Sequence, residues 1–204
     1  MQRVEHWIDG AGTAGVSTRT APIYDPARGV PGAEVLLAEP ADVAAAVDAA
    51  TKAQVGWAAR SALVRARVMF AMRDLLVAHT DELAALISAE HGKVLSDARG
   101  EVARGIEVVE FACGIPHLLK GEYSDGVSTG VDAYSLRQPL GVVAGITPFN
   151  FPVMVPLWMH PIAIACGNAF VLKPSEQDPS ASMLVARLYQ QAGLPDGVYN
   201  VVQG

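Results

Sequence analysis

Asn150, Lys173, Glu176 and Arg104 are the side chains whose types and settings could do chemistry. Asn150 sits in Pro148-Phe149-Asn150-Phe151-Pro152, a loop stiffened by two prolines and flanked by aromatics. A carboxamide fixed in such a loop is a good oxyanion donor, because its N–H is aimed before charge develops. Capping of the helix that follows is the ordinary use of an Asn here, and the two readings stand close to even. Lys173 and Glu176 lie three residues apart in Lys-Pro-Ser-Glu, where an ammonium and a carboxylate can both hydrogen-bond ribose hydroxyls. Spacing alone favours an exposed ion pair of little worth. Arg104 offers a guanidinium fork that matches a carboxylate, although surface pairing with Glu101 or Glu107 is the commoner arrangement.

Other chemistries find less support. The five histidines, at positions 6, 79, 91, 117 and 160, show no metal-ligand spacing, and no metal is expected. Cys113 and Cys166 sit among apolar residues and read as small buried hydrophobes, which suits a reducing compartment. No Ser-His-Asp or Cys-His arrangement can be assembled. A net charge of −6 with the signs interspersed gives no basic stripe for a nucleic acid. The start, Met1-Gln-Arg-Val-Glu-His-Trp, lacks signal-peptide and transit character, and the longest apolar run, Phe151–Cys166, is too short to span a bilayer and holds prolines and His160. No membrane partner is expected, and cytoplasm is the default location. With 204 residues, 51% of them hydrophobic, the chain can bury a substantial core.

These groups must be positioned by the elements around them. Gly141–Ile146 reads as an apolar strand, Thr147–Pro152 as a loop, and the segment after it as helical, with Pro152 in its first turn and Pro161 kinking it or ending it early. Ala169–Leu172 is a second strand that ends on Lys173. A unit of this length is a parallel βαβ crossover, so Asn150 and Lys173 share the carboxyl edge of one sheet, where open α/β sheets bind ligands. No GxGxxG follows the first strand, and by motif alone dinucleotide binding is a weak claim. Asp178-Pro179-Ser180 opens another helix through Met183, Leu184, Leu188 and Tyr189, closed by Gly193 and Pro195, and Val198–Val202 is a third candidate strand in the series.

Four helices precede this unit. The first runs from Pro40 to Arg60 on the spacing of Val43, Val47, Ala50 and Trp57. The second is capped by Ser61, with Leu63, Phe70, Leu75 and Leu76 alternating with a solvated face of Arg65, Arg67 and Arg73. The third starts on Thr80 as its cap and stops at Gly92; the fourth runs from about Ser96 to Gly114 or Leu118 along Val102, Ile106, Val109 and Cys113. Trp7–Asp9 and Pro22–Tyr24 are predicted to form a peripheral hairpin, and Gly121–Arg137 an antiparallel excursion that is either a surface hairpin or an edge for another subunit. The fold class is α/β: an incomplete Rossmann-like parallel sheet with an amino-terminal helical region and a β excursion. Residues 1–120 form the hairpin and helical region, 121–139 the excursion, and 140–204 the first part of a cofactor-binding sheet. That sheet is unfinished at Gly204, so the sequence reads as truncated.

The strings PFNFP, GNAFVLKPSE and GLPDGVYNVVQG resemble the aldehyde dehydrogenase superfamily, and EHGKVLSDARGEV with RGIEVVEFACG is similar to its methylmalonate-semialdehyde dehydrogenase branch. The resemblance covers essentially the whole chain. It implies NAD-dependent oxidation of a semialdehyde through a cysteine thiohemiacetal, with transfer of the acyl group to coenzyme A and loss of carbon dioxide. It assigns the oxyanion to Asn150, the substrate carboxylate to Arg104, and cofactor contacts to Thr147, Phe149, Lys173, Glu176 and Gln177. The branch commonly reads KPSER, so Gln177 removes a positive charge near the adenosine end. The nucleophilic cysteine and the catalytic domain fall beyond Gly204, which makes the chain an amino-terminal part expected to be inactive alone. Family members are oligomers, which implies a homo-oligomer. A hydrolytic aldehyde dehydrogenase of other specificity, and a non-catalytic nucleotide-binding or interaction module, are the alternatives.

Overall fold

The helical periodicity read between residues 40 and 114 is realised as α1 (Pro40–Ala58), α2 (Ala62–Ala78), α3 (Thr80–His91) and α4 (Leu95–Cys113), followed by a short α5 (Ile115–Leu118). They belong to a computed structural model that describes residues 2–204. Local chemistry sets several of their ends. Pro40 occupies the first turn of α1, and Asp42 Oδ2 accepts the Glu39 N–H at 2.9 Å. Ser61 Oγ accepts the Val64 N–H at 3.4 Å at the start of α2. Gly92 ends α3 with φ at +82°, a left-handed conformation that suits glycine. Thr80 does not cap α3. Only His79 separates the two helices, so Thr80 is already helical and its hydroxyl bonds back to the Leu76 carbonyl at 3.0 Å.

The buried faces differ from those that residue hydrophobicity suggests. In α1 the inward residues are Ala46, Ala50 and Trp57, while Val43 and Val47 are exposed. Alanines let this helix lie close against Ala169, Val171 and Val202 of the sheet. In α2 the buried set is Ala66, Val68, Met69, Met72 and Leu76, with Leu63 and Phe70 outside. Arg65, predicted on the solvated face, is only 7% exposed. Its guanidinium donates to the carbonyls of Ala58, Arg60 and Ala165 and so satisfies helix-end acceptors that would otherwise be orphaned. Arg73 does reach the surface, pairing with Asp74 and Glu110.

The sheets centre on the predicted βαβ unit. The strands are β1 (Gln2–Val4), β2 (His6–Ile8), β3 (Ala11–Thr13), β4 (Thr20–Asp25), β5 (Val30–Leu36), β6 (Tyr123–Ser128), β7 (Val131–Tyr134), β8 (Val142–Ile146), β9 (Ala169–Lys173) and β10 (Tyr199–Val201). Strands β8, β9 and β10 are parallel neighbours in a five-stranded sheet of order β3-β2-β10-β9-β8. The crossover between β8 and β9 is broken into α6 (Met154–Leu157) and α7 (His160–Ala165). Pro161 lies in the first turn of α7, as its missing N–H requires, whereas Pro152 stays in the turn ahead of α6. The last helix, α8, spans Ser180–Gln191.

The opening segment is not one peripheral hairpin. Strand β2 joins the main sheet, antiparallel to β10 at Val201↔Trp7, and β4 pairs instead with β5, which itself lies parallel to β1. Strand β5 escapes a sequence reading because Pro31 and Gly32 look like loop punctuation; the turn at Asp25–Gly29 that leads into it is formed as expected, with Asp25 accepting the Gly29 N–H at 2.8 Å. The excursion is a real antiparallel pair, β6 with β7, and every residue in both strands is exposed.

Helix α4 packs on α6 through Gly105. A Cβ at that position would lie 2.5 Å from Leu157 Cδ1 and 3.3 Å from Leu157 Cβ, and Leu157 is fully buried. Overpacking of this kind costs about 1–3 kcal/mol, against a gain of up to about 1 kcal/mol in helix propensity. Gly105→Ala is therefore expected to lower the unfolding free energy by about 1 kcal/mol, and by no more than about 3, in a urea titration; equal or greater stability would show that the helix contact is loose.

Candidate active site

Pairing of β8 with β9 runs from Val142↔Ala169 to Ile146↔Lys173, and the Thr147 N–H extends it by bonding the Lys173 carbonyl at 3.1 Å. The loop 147–152 and the segment 173–178 therefore leave the sheet side by side, as the crossover argument requires. Phe149 and Gln177 line one hollow of about 570 Å³ together with Tyr24, Glu90, His91 and Asp178. Phe151 lines another, of about 550 Å³, with Arg104, Met154 and Trp158. Asn150 stands exposed between the two aromatics that face these hollows.

Asn150 does not cap the following helix. The amides that need a cap, Val153 N–H and Met154 N–H, bond to Glu101 Oε1 at 2.8 and 3.2 Å. The other oxygen of Glu101 meets Lys93 Nζ at 2.5 Å, and the same ammonium donates to the Asn150 carbonyl at 2.9 Å and lies 4.3 Å from the centre of the Phe151 ring. The Glu101 side chain is 1% exposed and that of Lys93 11%. Neither residue was singled out from the sequence as part of the site. A signal was present: Glu101 lies three residues after Ala98 and four before Gly105, on the small-residue stripe that α4 buries. With Glu101 turned inward, it does not form the surface pair with Arg104, which makes no ion pair among the described residues.

Lys173 and Glu176 do form a half-exposed ion pair, with Nζ and Oε2 3.2 Å apart. The Glu176 carboxyl is held below the usual range by its own backbone N–H and by Lys173, against the opposing pull of desolvation. Thr147 is buried, and its hydroxyl has no hydrogen-bond partner among the described residues. The accessible ammonium and carboxylate at the strand end suit a ligand that presents hydroxyls.

The charges behind the first hollow are unusual. Asp178 is 2% exposed, and neither of its oxygens makes a hydrogen bond of ordinary geometry. Burial, and then the Glu90 charge, push its carboxyl up to about 7, with the Ser175 hydroxyl and Lys93 offsetting a part. Glu90 is likewise raised by burial, although it accepts the Ser180 N–H at 3.0 Å. His160 belongs to the core: burial lowers it to about 3, and it meets the Tyr189 hydroxyl at 2.8 Å. Among the described residues there is no group of three or more potential metal ligands and no helix long and apolar enough to cross a membrane.

Residues 13–204 match the aldehyde dehydrogenase family. The chain is 50% identical over its whole length to a malonate-semialdehyde dehydrogenase of Pseudomonas aeruginosa and covers 41% of that protein. It is 48% identical, over 99% of its length, to the mitochondrial acylating methylmalonate-semialdehyde dehydrogenase of Arabidopsis thaliana, of which it covers 33%. The methylmalonate-semialdehyde dehydrogenase of Oceanimonas doudoroffii superposes with a TM-score of 0.98 at 54% identity, all of this chain against 42% of that one. A Sinorhizobium meliloti protein assigned to the same activity and solved with NAD gives 0.98 at 52% identity, with the same coverage. The chain thus spans about two-fifths of the length of most of these relatives.

Asp178 gives the chain a distinctive pH dependence. Its carboxyl holds a proton more tightly in the folded than in the unfolded state, so its contribution to stability falls as pH rises from about 4 to about 7. Asp178→Asn removes that slope. The stability difference between the variant and the parent, in favour of the variant, is expected to grow by a few kcal/mol, roughly 1.4 per unit, between pH 4 and pH 8 in chemical unfolding. A pH-independent difference would place the carboxylate in water.

Proposed function

The chain belongs to the aldehyde dehydrogenase family, and from that membership we propose that it supplies the cofactor-facing, amino-terminal part of an NAD-dependent, CoA-acylating methylmalonate or malonate semialdehyde dehydrogenase. The observation that carries the reading is the place of Asn150. Asn150 is exposed, its carboxamide makes no hydrogen bond among the described residues, and its neighbours Phe149 and Phe151 line, respectively, a hollow shared with Gln177 and one that holds Arg104.

In this reading Arg104 receives the carboxylate of the semialdehyde in the second hollow, where Phe151, Met154 and Trp158 exclude water from its carbon chain. Asn150 donates its amide N–H to the oxygen of the aldehyde as that oxygen gains charge. Lys173 and Glu176 exchange their mutual ion pair for ribose hydroxyls, Phe149 and Gln177 border the cofactor's path, and buried Thr147 contributes through its backbone N–H, which ties the loop base to the Lys173 carbonyl. NAD, when bound, accepts the hydride. Coenzyme A takes the acyl group, in keeping with the acylating relative, and decarboxylation makes the products acetyl-CoA or propionyl-CoA.

The nucleophile is assigned to sequence outside these 204 residues. Cys113 and Cys166 both have thiols raised by burial, the opposite of what attack at neutral pH requires. Residues 2–120 give the cofactor sheet begun by 140–204 two of its strands, β2 and β3, as well as helices packed on it, and residues 121–139 offer the fully exposed β6–β7 pair to a second copy, giving a homo-oligomer.

Two measurements test this assignment. The purified 204-residue polypeptide is expected to produce no NADH from malonate semialdehyde, NAD and CoA, and robust turnover would overturn the placement of the nucleophile. In a complete enzyme containing this segment, Asn150→Ala is expected to lower kcat by about 10²–10³ while turnover stays CoA-dependent; an unchanged kcat rejects the oxyanion role, and CoA-independent turnover points to a hydrolytic enzyme.

A further inference from the structure

We propose that Lys93 and Glu101 are positioning residues for Asn150, a buried ion pair whose remaining hydrogen bonds hold the catalytic loop in one conformation. The proposal rests on the oxyanion role of Asn150 argued above. Pro148 and Pro152 fix two φ angles of the loop, and Pro152 also biases Phe151 toward extended backbone, which leaves Phe149 and Asn150 free to rotate. The pair removes that freedom from both sides. Lys93 Nζ takes the Asn150 carbonyl at 2.9 Å, which fixes the Asn150–Phe151 peptide plane, and Glu101 Oε1 takes the Val153 and Met154 amides, which fixes the chain just beyond. Apart from their mutual bond, every hydrogen bond these two side chains make among the described residues falls on residues 150 to 154.

An ammonium has three donors, and here two are spent on Glu101 and the Asn150 carbonyl while the charge lies 4.3 Å from the centre of the Phe151 ring. One cation therefore fixes both the peptide that carries the carboxamide and the aromatic wall of the Arg104 hollow. A carboxylate at Glu101 without its cation would be an uncompensated buried charge, so the two residues act as one unit.

The test uses a complete enzyme containing this segment. Lys93→Met is expected to lower kcat about 10–100-fold, the scale set by displacing a reacting group by about an ångström, with the NAD Kd changed by less than about twofold and any rise in the aldehyde KM, through the loosened Phe151 wall, smaller than the loss of kcat. The double variant Lys93→Met/Glu101→Gln removes both charges yet keeps an oxygen for the Val153 and Met154 amides; it is expected to fold and to show the same loss. Lys93→Arg is expected to recover most of kcat. Added to Asn150→Ala, Lys93→Met should cost nothing further, because the group it positions is already gone. If Asn150→Ala itself leaves kcat unchanged, the oxyanion reading fails and this proposal with it. If Asn150→Ala lowers kcat while the folded double variant retains the parent value, or if the losses from Lys93→Met and Asn150→Ala multiply, the positioning role alone is overturned.

Discussion

The parallel pairing of β8 with β9 is the constraint from which the rest of the structure follows. Parallel neighbours cannot be joined by a tight turn, so the chain must cross over one face of the sheet before it returns. The crossover here consists of two short helices, and burying them requires α4 and α2 on their outer side, with Trp57 donating its indole N–H to the Ile164 carbonyl at 2.8 Å. The same pairing forces the loop after β8 and the segment after β9 to leave from one edge. The meeting of these two segments is thus a result of topology before it is a result of any single side chain.

Buried charge is concentrated next to that edge. Taking an ion out of water costs several kcal/mol even after relaxation, and a cluster of ionisable groups around Glu90, Lys93, Glu101 and Asp178 is a poor way to stabilise a domain. Lys93 and Glu101 offset the cost with a short ion pair and loop hydrogen bonds. Asp178 does not, and its carboxyl responds by holding a proton up to about neutral pH. Like Arg65, which serves the carbonyls of Ala58, Arg60 and Ala165, the Lys93–Glu101 pair is better understood as fixing backbone geometry than as adding stability.

The sequence reveals elements whose signals are local. Gly92, Ser61, the Asp25–Gly29 turn and the apolar strands on either side of Phe151–Cys166 all act over a few residues, and each is found where local chemistry puts it. Burial is harder to read, because it depends on what arrives from far along the chain. Arg65 looks like a surface residue until Ala165, 100 positions later, presents a carbonyl to it. Glu101 looks like one end of a surface pair with Arg104 until the amides of Val153 and Met154, 52 and 53 positions on, come to it. The valines of α1 look like its core face until the sheet approaches closely enough to admit only alanine. The positions proposed for Asn150, Lys173 and Arg104 were legible from topology and motif; the groups that hold the loop were not, since their partners are backbone atoms, which have no sequence signature.

Strand β8 is the last strand of its sheet, with no neighbour on its far side among the described residues. Its unpaired backbone groups run straight into the loop that carries Asn150, and Ile146 at its end is 79% exposed. An open edge with apolar side chains is a template for another chain. Whatever pairs along β8 is carried to the point where loop 147–152 leaves the sheet, because the strand and the loop are continuous in the chain.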